Sequence, residues 1–171
     1  MALRNIVTIG EPALNKVCRP YTEFGPRLHE LLDDMKETLI EADGVGLAAP
    51  QVGILRRAVI VIETNHPEDE EDVFLELINP EIIASEGEQV GTEGCLSLPE
   101  QCGIVRRPMV VTVRAQDRNG NVFEYTGEGL TARCFCHELD HLDGILYPER
   151  AERMLSPEEL QEYAGEIEEE D

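Results

Sequence analysis

The sequence predicts an α+β domain, and three observations carry that expectation. The chain has 171 residues, 42% of them hydrophobic, which fits one domain of roughly 100–200 residues with a single core. Near each end, apolar residues recur at three- and four-residue steps, as on amphipathic helices. Between these segments lie short apolar runs divided by turn residues, as in antiparallel strands. Helix, strands and then helix is an α+β order.

The first helix is expected over residues 25–43. Pro26 suits the first helical position and Gly44 the stop. Leu28, Leu31, Leu32, Met35, Leu39 and Ala42 draw one apolar stripe, a core-packing face. Strands follow at 58–62 and at 74–78, the latter leading into Asn79-Pro80. The stretch 66–72 is acidic and contains Pro67, which reads as a solvated loop. Residues 110–113 and 122–125 flank Asp117-Arg118-Asn119-Gly120, whose Asn-Gly pair signals a hairpin. The second helix should run from near Glu128 to Leu142 and end at Gly144. Leu130, Cys134, His137 and His141 would share one of its faces. Ser156-Pro157-Glu158-Glu159 has the capping hydroxyl, proline and acids of a further helix start. Residues 166–171 read as a frayed or disordered end. The domain division expected is 1–150 for the main domain and 151–171 for an acidic C-terminal tail, partly helical or disordered.

There are 14 basic residues against 36 acidic, a net charge of −22. A nucleic-acid coat and an anionic membrane are thereby excluded as partners, since both need a cationic face. The charge is uneven. Between Arg57 and Arg106 stand 12 acids and no Lys or Arg, and from Glu152 onward nine acids meet one arginine. The remainder is close to neutral. No run approaches the roughly 18 apolar residues of a membrane span, and residues 1–10 lack the features of a targeting peptide. The five cysteines, Cys18, Cys95, Cys102, Cys134 and Cys136, show no disulfide-scaffold spacing, which points to a reducing, cytoplasmic setting.

The sharpest chemical signal is His137-Glu138-Leu139-Asp140-His141. Two imidazoles four residues apart lie one turn apart on one helix face. They can grip one metal ion while Glu138 stands beside it as a base. A structural zinc site would normally supply four ligands. A third ligand is offered by Cys95, in Glu93-Gly94-Cys95-Leu96-Ser97, where glycines permit close backbone approach. The segment Gly44-Val45-Gly46-Leu47-Ala48-Ala49-Pro50-Gln51 is small and apolar, and without a lysine it is no phosphate-binding loop.

Together, residues 44–51, 93–97 and 137–141 resemble, in order and spacing, the three motifs of the peptide deformylase family. The resemblance extends over about residues 2–148 and takes in residues 5–14, Asp34-Met35, Arg107 and residues 129–133. It implies antiparallel strands surrounding a central metal-binding helix. It also implies removal of the N-formyl group from the N-terminal methionine of newly made proteins. Cys95, His137 and His141 would hold one divalent metal ion: Fe2+ foremost, with Zn2+ or Ni2+ compatible. Glu138 would move protons, and the Gln51 amide and Leu96 N–H would hold the oxyanion. The peptide would bind as an added strand beside Val45 and Gly46. Its methionine would enter a pocket of Val45, Leu130, Cys134 and His137, with Arg133 at the mouth.

Three departures from the family pattern stand out. Cys136 occupies a position where most relatives have Gln, and Cys102 one where some have Arg. Some bacterial members end in a basic helix that docks on the ribosome, whereas residues 155–171 are acidic here. Contact with the ribosome is therefore expected to be transient and not through a basic C-terminal helix. Asp140 is expected to pair with Arg107, and Glu93 and Glu100 to border the site and disfavour acidic peptides. Two other readings compete: a zinc peptidase taking Glu158 or Glu162 as third ligand, and a non-catalytic relative. Cys95 discriminates against the first. Intact Glu138, Gln51 and Cys95 argue against the second.

Overall fold

The computed structural model describes residues 2–64 and 70–162. The first helix, α1 (Pro26–Ala42), forms where its stripe dictates, with Pro26 in its first turn. It stops at Ala42, two residues before Gly44. Asp43 takes the left-handed conformation (φ 55°), and its N–H bonds back to the carbonyls of Leu39 and Ile40, an ordinary helix-ending geometry. The second helix, α2 (Leu130–Leu142), ends at a glycine the chain needs. Gly144 has φ 75°, and a Cβ there would lie 2.8 Å from the backbone carbon of Asn15.

Among the described residues there are eight strands, seven between the two helices and one after them: β1 (Gly46–Ala48), β2 (Ala58–Glu63), β3 (Val73–Glu86), β4 (Gln89–Cys95), β5 (Leu98–Arg107), β6 (Val110–Gln116), β7 (Val122–Glu128) and β8 (Ala151–Met154). They form a five-stranded sheet, β1-β2-β3-β6-β7, and a three-stranded sheet, β4-β5-β8. All the pairings between strands are antiparallel. The expected hairpin joins β6 to β7, with Gly120 at φ 87° in its turn.

β2 shows why the large sheet is covered on both faces. Its residues alternate sides, as strand residues must. Val59 and Val61 pack toward α2 with Ala132, Phe135 and Leu139. Ala58, Ile60 and Ile62 pack toward α1 with Leu28, Leu32 and Leu39. The small sheet closes the other side of α2, where Leu98 and Val105 join Leu14, Leu146 and Tyr147. The helix that carries both histidines is thus enclosed by strands, as expected.

Some elements exceed their sequence signals. β3 continues past Asn79-Pro80 by means of register shifts against β6, with Asn79 at φ 51°. The irregularity accommodates a proline that cannot donate to the ladder. Residues 157–162 are helical, with the Ser156 hydroxyl accepting the Glu159 N–H and Glu159 reaching back to the Ser156 N–H. This is the expected capped start. The expectation for residues 166–171, and most of that for 66–72, lies outside the described residues.

Candidate active site and metal centre

Three separate elements converge on one site. Cys95 is the last residue of β4, and Leu96 begins the turn into β5. His137 and His141 project from α2. Gln51 lies in a short 3-10 turn, Ala49–Val52, just after β1. The candidate ligand atoms of Cys95, His137 and His141 all lie within 4.8 Å of one another. The Cys95 sulfur is 3.3 Å from His141 Nε2, which is 3.2 Å from His137 Nε2. No other such group of three occurs among the described residues.

Each donor is oriented from behind. His137 Nδ1 lies 2.9 Å from Glu93 Oε1, so the ring proton sits there and Nε2 presents its lone pair. Tyr147 stacks on the His137 ring, with centroids 5.8 Å apart. Glu93 is itself clamped: Arg107 donates to both of its oxygens at 2.9 and 3.0 Å, and Arg133 donates to Oε2 at 2.6 Å. Burial works against the Glu93 charge, but hydrogen bonds from His137 and Arg107 pull its pKa down to about 2. Arg107 also binds Asp140 at 2.8 Å, the pairing expected from the sequence. Burial opposes charge on both imidazoles. At His141 it prevails and lowers the pKa, whereas at His137 the bonds to Cys95 and Glu93 outweigh it and raise the pKa.

Glu138 is buried, and its Oε2 has no hydrogen-bond partner among the described residues. Burial raises its pKa to about 7, against the opposing effect of His137. Such a carboxyl can both take and give a proton near neutrality. Gly46 explains the close fit of β1 on this carboxylate: a Cβ there would meet Glu138 Cγ at 3.1 Å. The Gln51 amide is fixed in the same way. Its Oε1 accepts from Ala48 N–H at 2.9 Å, and its Nε2 donates to Ser97 Oγ at 3.1 Å and toward Cys95 Sγ at 3.5 Å.

A cavity of about 370 Å³ opens beside these groups, lined among others by Val45, Gly46, Leu96, Leu130, Arg133, Cys134, His137 and Glu138. Of the residues singled out for the site, all but Gln51 and His141 line this cavity, and those two lie beside it against Cys95. Two are placed differently from expectation. Arg133 lines the cavity, but its guanidinium turns inward to Glu93 and to the Val105 carbonyl at 3.0 Å. Glu93, expected to repel acidic peptides, is buried and bound by two arginines, so only Glu100 presents an acid at the rim. Cys136 packs in the core between α2 and the large sheet.

The model of the family described as Polypeptide deformylase matches residues 3–156. The chain belongs to the peptide deformylase family. It is 54% identical over 153 residues to a peptide deformylase of Lachnoclostridium phytofermentans, covering 88% of this chain and 90% of the relative. Its fold superimposes on the peptide deformylase of Thermotoga maritima with a TM-score of 0.80 at 38% identity, covering 87% of this chain and 97% of the other. A class I type b peptide deformylase from Acinetobacter baumannii with Met-Ala-Ser bound matches with a TM-score of 0.80 at 35% identity, covering 86% of this chain and 98% of the other. Peptide deformylases are metal-dependent hydrolases that remove the formyl group from N-terminal methionine, and that hydrolysis of formylated nascent peptides is the activity of this chain. No helix among the described residues is long and apolar enough to cross a membrane.

Proposed function

We propose that Cys95, His137 and His141 hold one divalent cation and that Glu138, Gln51 and Leu96 carry the deformylation. The observation that supports this most is the meeting of a thiol and two imidazole nitrogens beside a buried carboxylate oxygen without a partner. The donor set fits the cation: a thiolate offsets one of its positive charges, and each histidine offers a ring nitrogen. Fe2+ is the cation in the cell, and the same Cys/His/His set suits Zn2+ or Ni2+. When bound, the cation supplies Lewis acidity and lowers the pKa of water toward neutrality.

The protein's own groups do the rest. Glu138 accepts a proton from the water that attacks the formyl carbon. The Gln51 Nε2 and the Leu96 N–H donate to the oxyanion that develops on the formyl oxygen. Glu138 then delivers its proton to the leaving nitrogen, and the C–N bond breaks to give formate and a free amine. The peptide backbone pairs with the edge of β1 at Val45 and Gly46, which gives affinity without reading sequence. The methionine side chain enters between Leu130 and Cys134, a wall that Arg133 completes. The Met-Ala-Ser bound to the Acinetobacter baumannii enzyme supports this class of ligand.

Residues 1–150 act as the catalytic domain, and the acidic segment 151–171 begins with β8, which completes the small sheet by pairing with β5. The enzyme works in the cytoplasm, without nucleic acid and without docking on the ribosome through a basic C-terminal helix. Iron-loaded protein kept free of oxygen should release formate from formyl-Met-Ala-Ser. Failure to do so with full metal occupancy would refute these roles.

A further inference from the structure

Residues 2–9, ahead of a 3-10 turn at Pro12–Asn15, are bonded to both loops that carry the proposed oxyanion donors. The Val7 N–H donates to the Gln51 carbonyl at 2.7 Å, and the Ile9 N–H donates to the Ser97 carbonyl at 2.9 Å. Gln51 is the amide donor, and Ser97 directly follows Leu96. One extended segment therefore splints the two halves of the proposed oxyanion site, which lie 44 to 46 residues apart in sequence.

The splint is anchored at its other end on α1. The Ala2 N–H donates to Asp34 Oδ1 at 2.8 Å. Arg4 donates to Asp34 Oδ2 through Nε at 3.0 Å and pairs with it through its terminal nitrogen at 2.8 Å. The Arg4 N–H reaches Thr38 Oγ1 at 2.9 Å. Asp34 is only 3% exposed, and its one ion-pair partner among the described residues is Arg4. A buried carboxylate whose arginine partner sits on the segment ties its own stability to docking of that segment.

We infer that Arg4 and Asp34 are positioning residues, which hold residues 2–9 as a splint that fixes the Gln51 amide and the Leu96 N–H relative to each other. This rests on the roles proposed above for Gln51 and Leu96. Such preorganisation matters most where charge develops, so its loss should lower turnover more than substrate affinity. It should leave the metal in place, because neither residue touches Cys95, His137 or His141.

The test uses the full-length, metal-loaded chain with Arg4→Gln, a partly exposed site where folding should survive, and Asp34→Asn as an independent lesion. Amide exchange at Val7 and Ile9 reports whether the splint is docked, and amides of α2 report the remainder of the fold. Expected for both variants is faster exchange at Val7 and Ile9 with α2 unchanged and metal content unchanged. The kcat should fall about three- to tenfold with KM within about twofold, in line with the cost of small misplacements of catalytic groups. Undocking with unchanged kcat would overturn the positioning role. Full protection of Val7 and Ile9 in both variants would overturn the anchor. The two failures are separable: an inactive parent protein sinks the proposed function, whereas an active parent whose kcat ignores the undocked splint sinks only this inference.

Discussion

Arg106 and Arg107 are neighbours on β5 and make ion pairs of the same length, yet they serve opposite surroundings. Arg106 binds Glu88 and Glu152 at 2.9 Å with its side chain 49% exposed. Arg107 binds Glu93 at 2.9 Å and Asp140 at 2.8 Å with its side chain 6% exposed. The alternation of a strand sends one to water and the other behind the proposed metal ligands. Solvent and salt screen the first set of charges. The second is shielded, and its members depend on one another through Glu93 and His137. Distance alone does not rank these pairs; burial and what lies behind them do.

The largest effect should come from breaking the buried set. Arg107→Ala leaves Glu93 and Asp140 without their shared cation, and removing one partner of a buried pair costs about 3–5 kcal/mol. Denaturant unfolding should show that loss. Next comes Glu93→Gln, which keeps the shape but removes the carboxylate behind His137. Partners of this kind typically govern metal affinity by about 10–100-fold, and competition with a chelator would measure it.

A pH titration sharpens the contrast further. The Glu93 pKa falls from 4.5 to about 2 on folding, so its stabilisation is complete above the unfolded value and fades as pH drops from about 4.5 through 2. Acid unfolding of the metal-free protein should lose this component in Glu93→Gln. The smallest effect belongs to Arg106→Ala. Its unfolding midpoint and metal affinity should match those of the parent at physiological salt. A drop comparable to that of Arg107→Ala would break the comparison.

The same division explains what the sequence could reveal. Helices α1 and α2 and the β6–β7 hairpin were legible because periodicity and an Asn-Gly turn are local signals. β4 and β5 were not, because Gly91, Gly94 and Gly103 interrupt the alternation that marks a strand. The proposed metal ligands stood out because two fall within one helical turn and Cys95 sits in a distinctive motif. Glu93 was visible only as one acid in an acidic stretch. Its partners lie 14, 40 and 44 residues away, a relation that only the fold creates. The same holds for Arg133, whose inward turn follows from where Glu93 is placed. The splint of residues 2–9 was equally hidden, since its bonds to Gln51 and Ser97 are made by backbone groups that every residue carries.

Glu138 is the group proposed to move protons beside a metal held by other residues. Formate release from formyl-Met-Ala-Ser by Glu138→Ala, measured together with its metal content, tests that claim most directly. Metal occupancy equal to the parent with turnover lost by about 100-fold or more is the predicted result, given the usual size of general acid–base contributions. Turnover near the parent rate at full occupancy would contradict it.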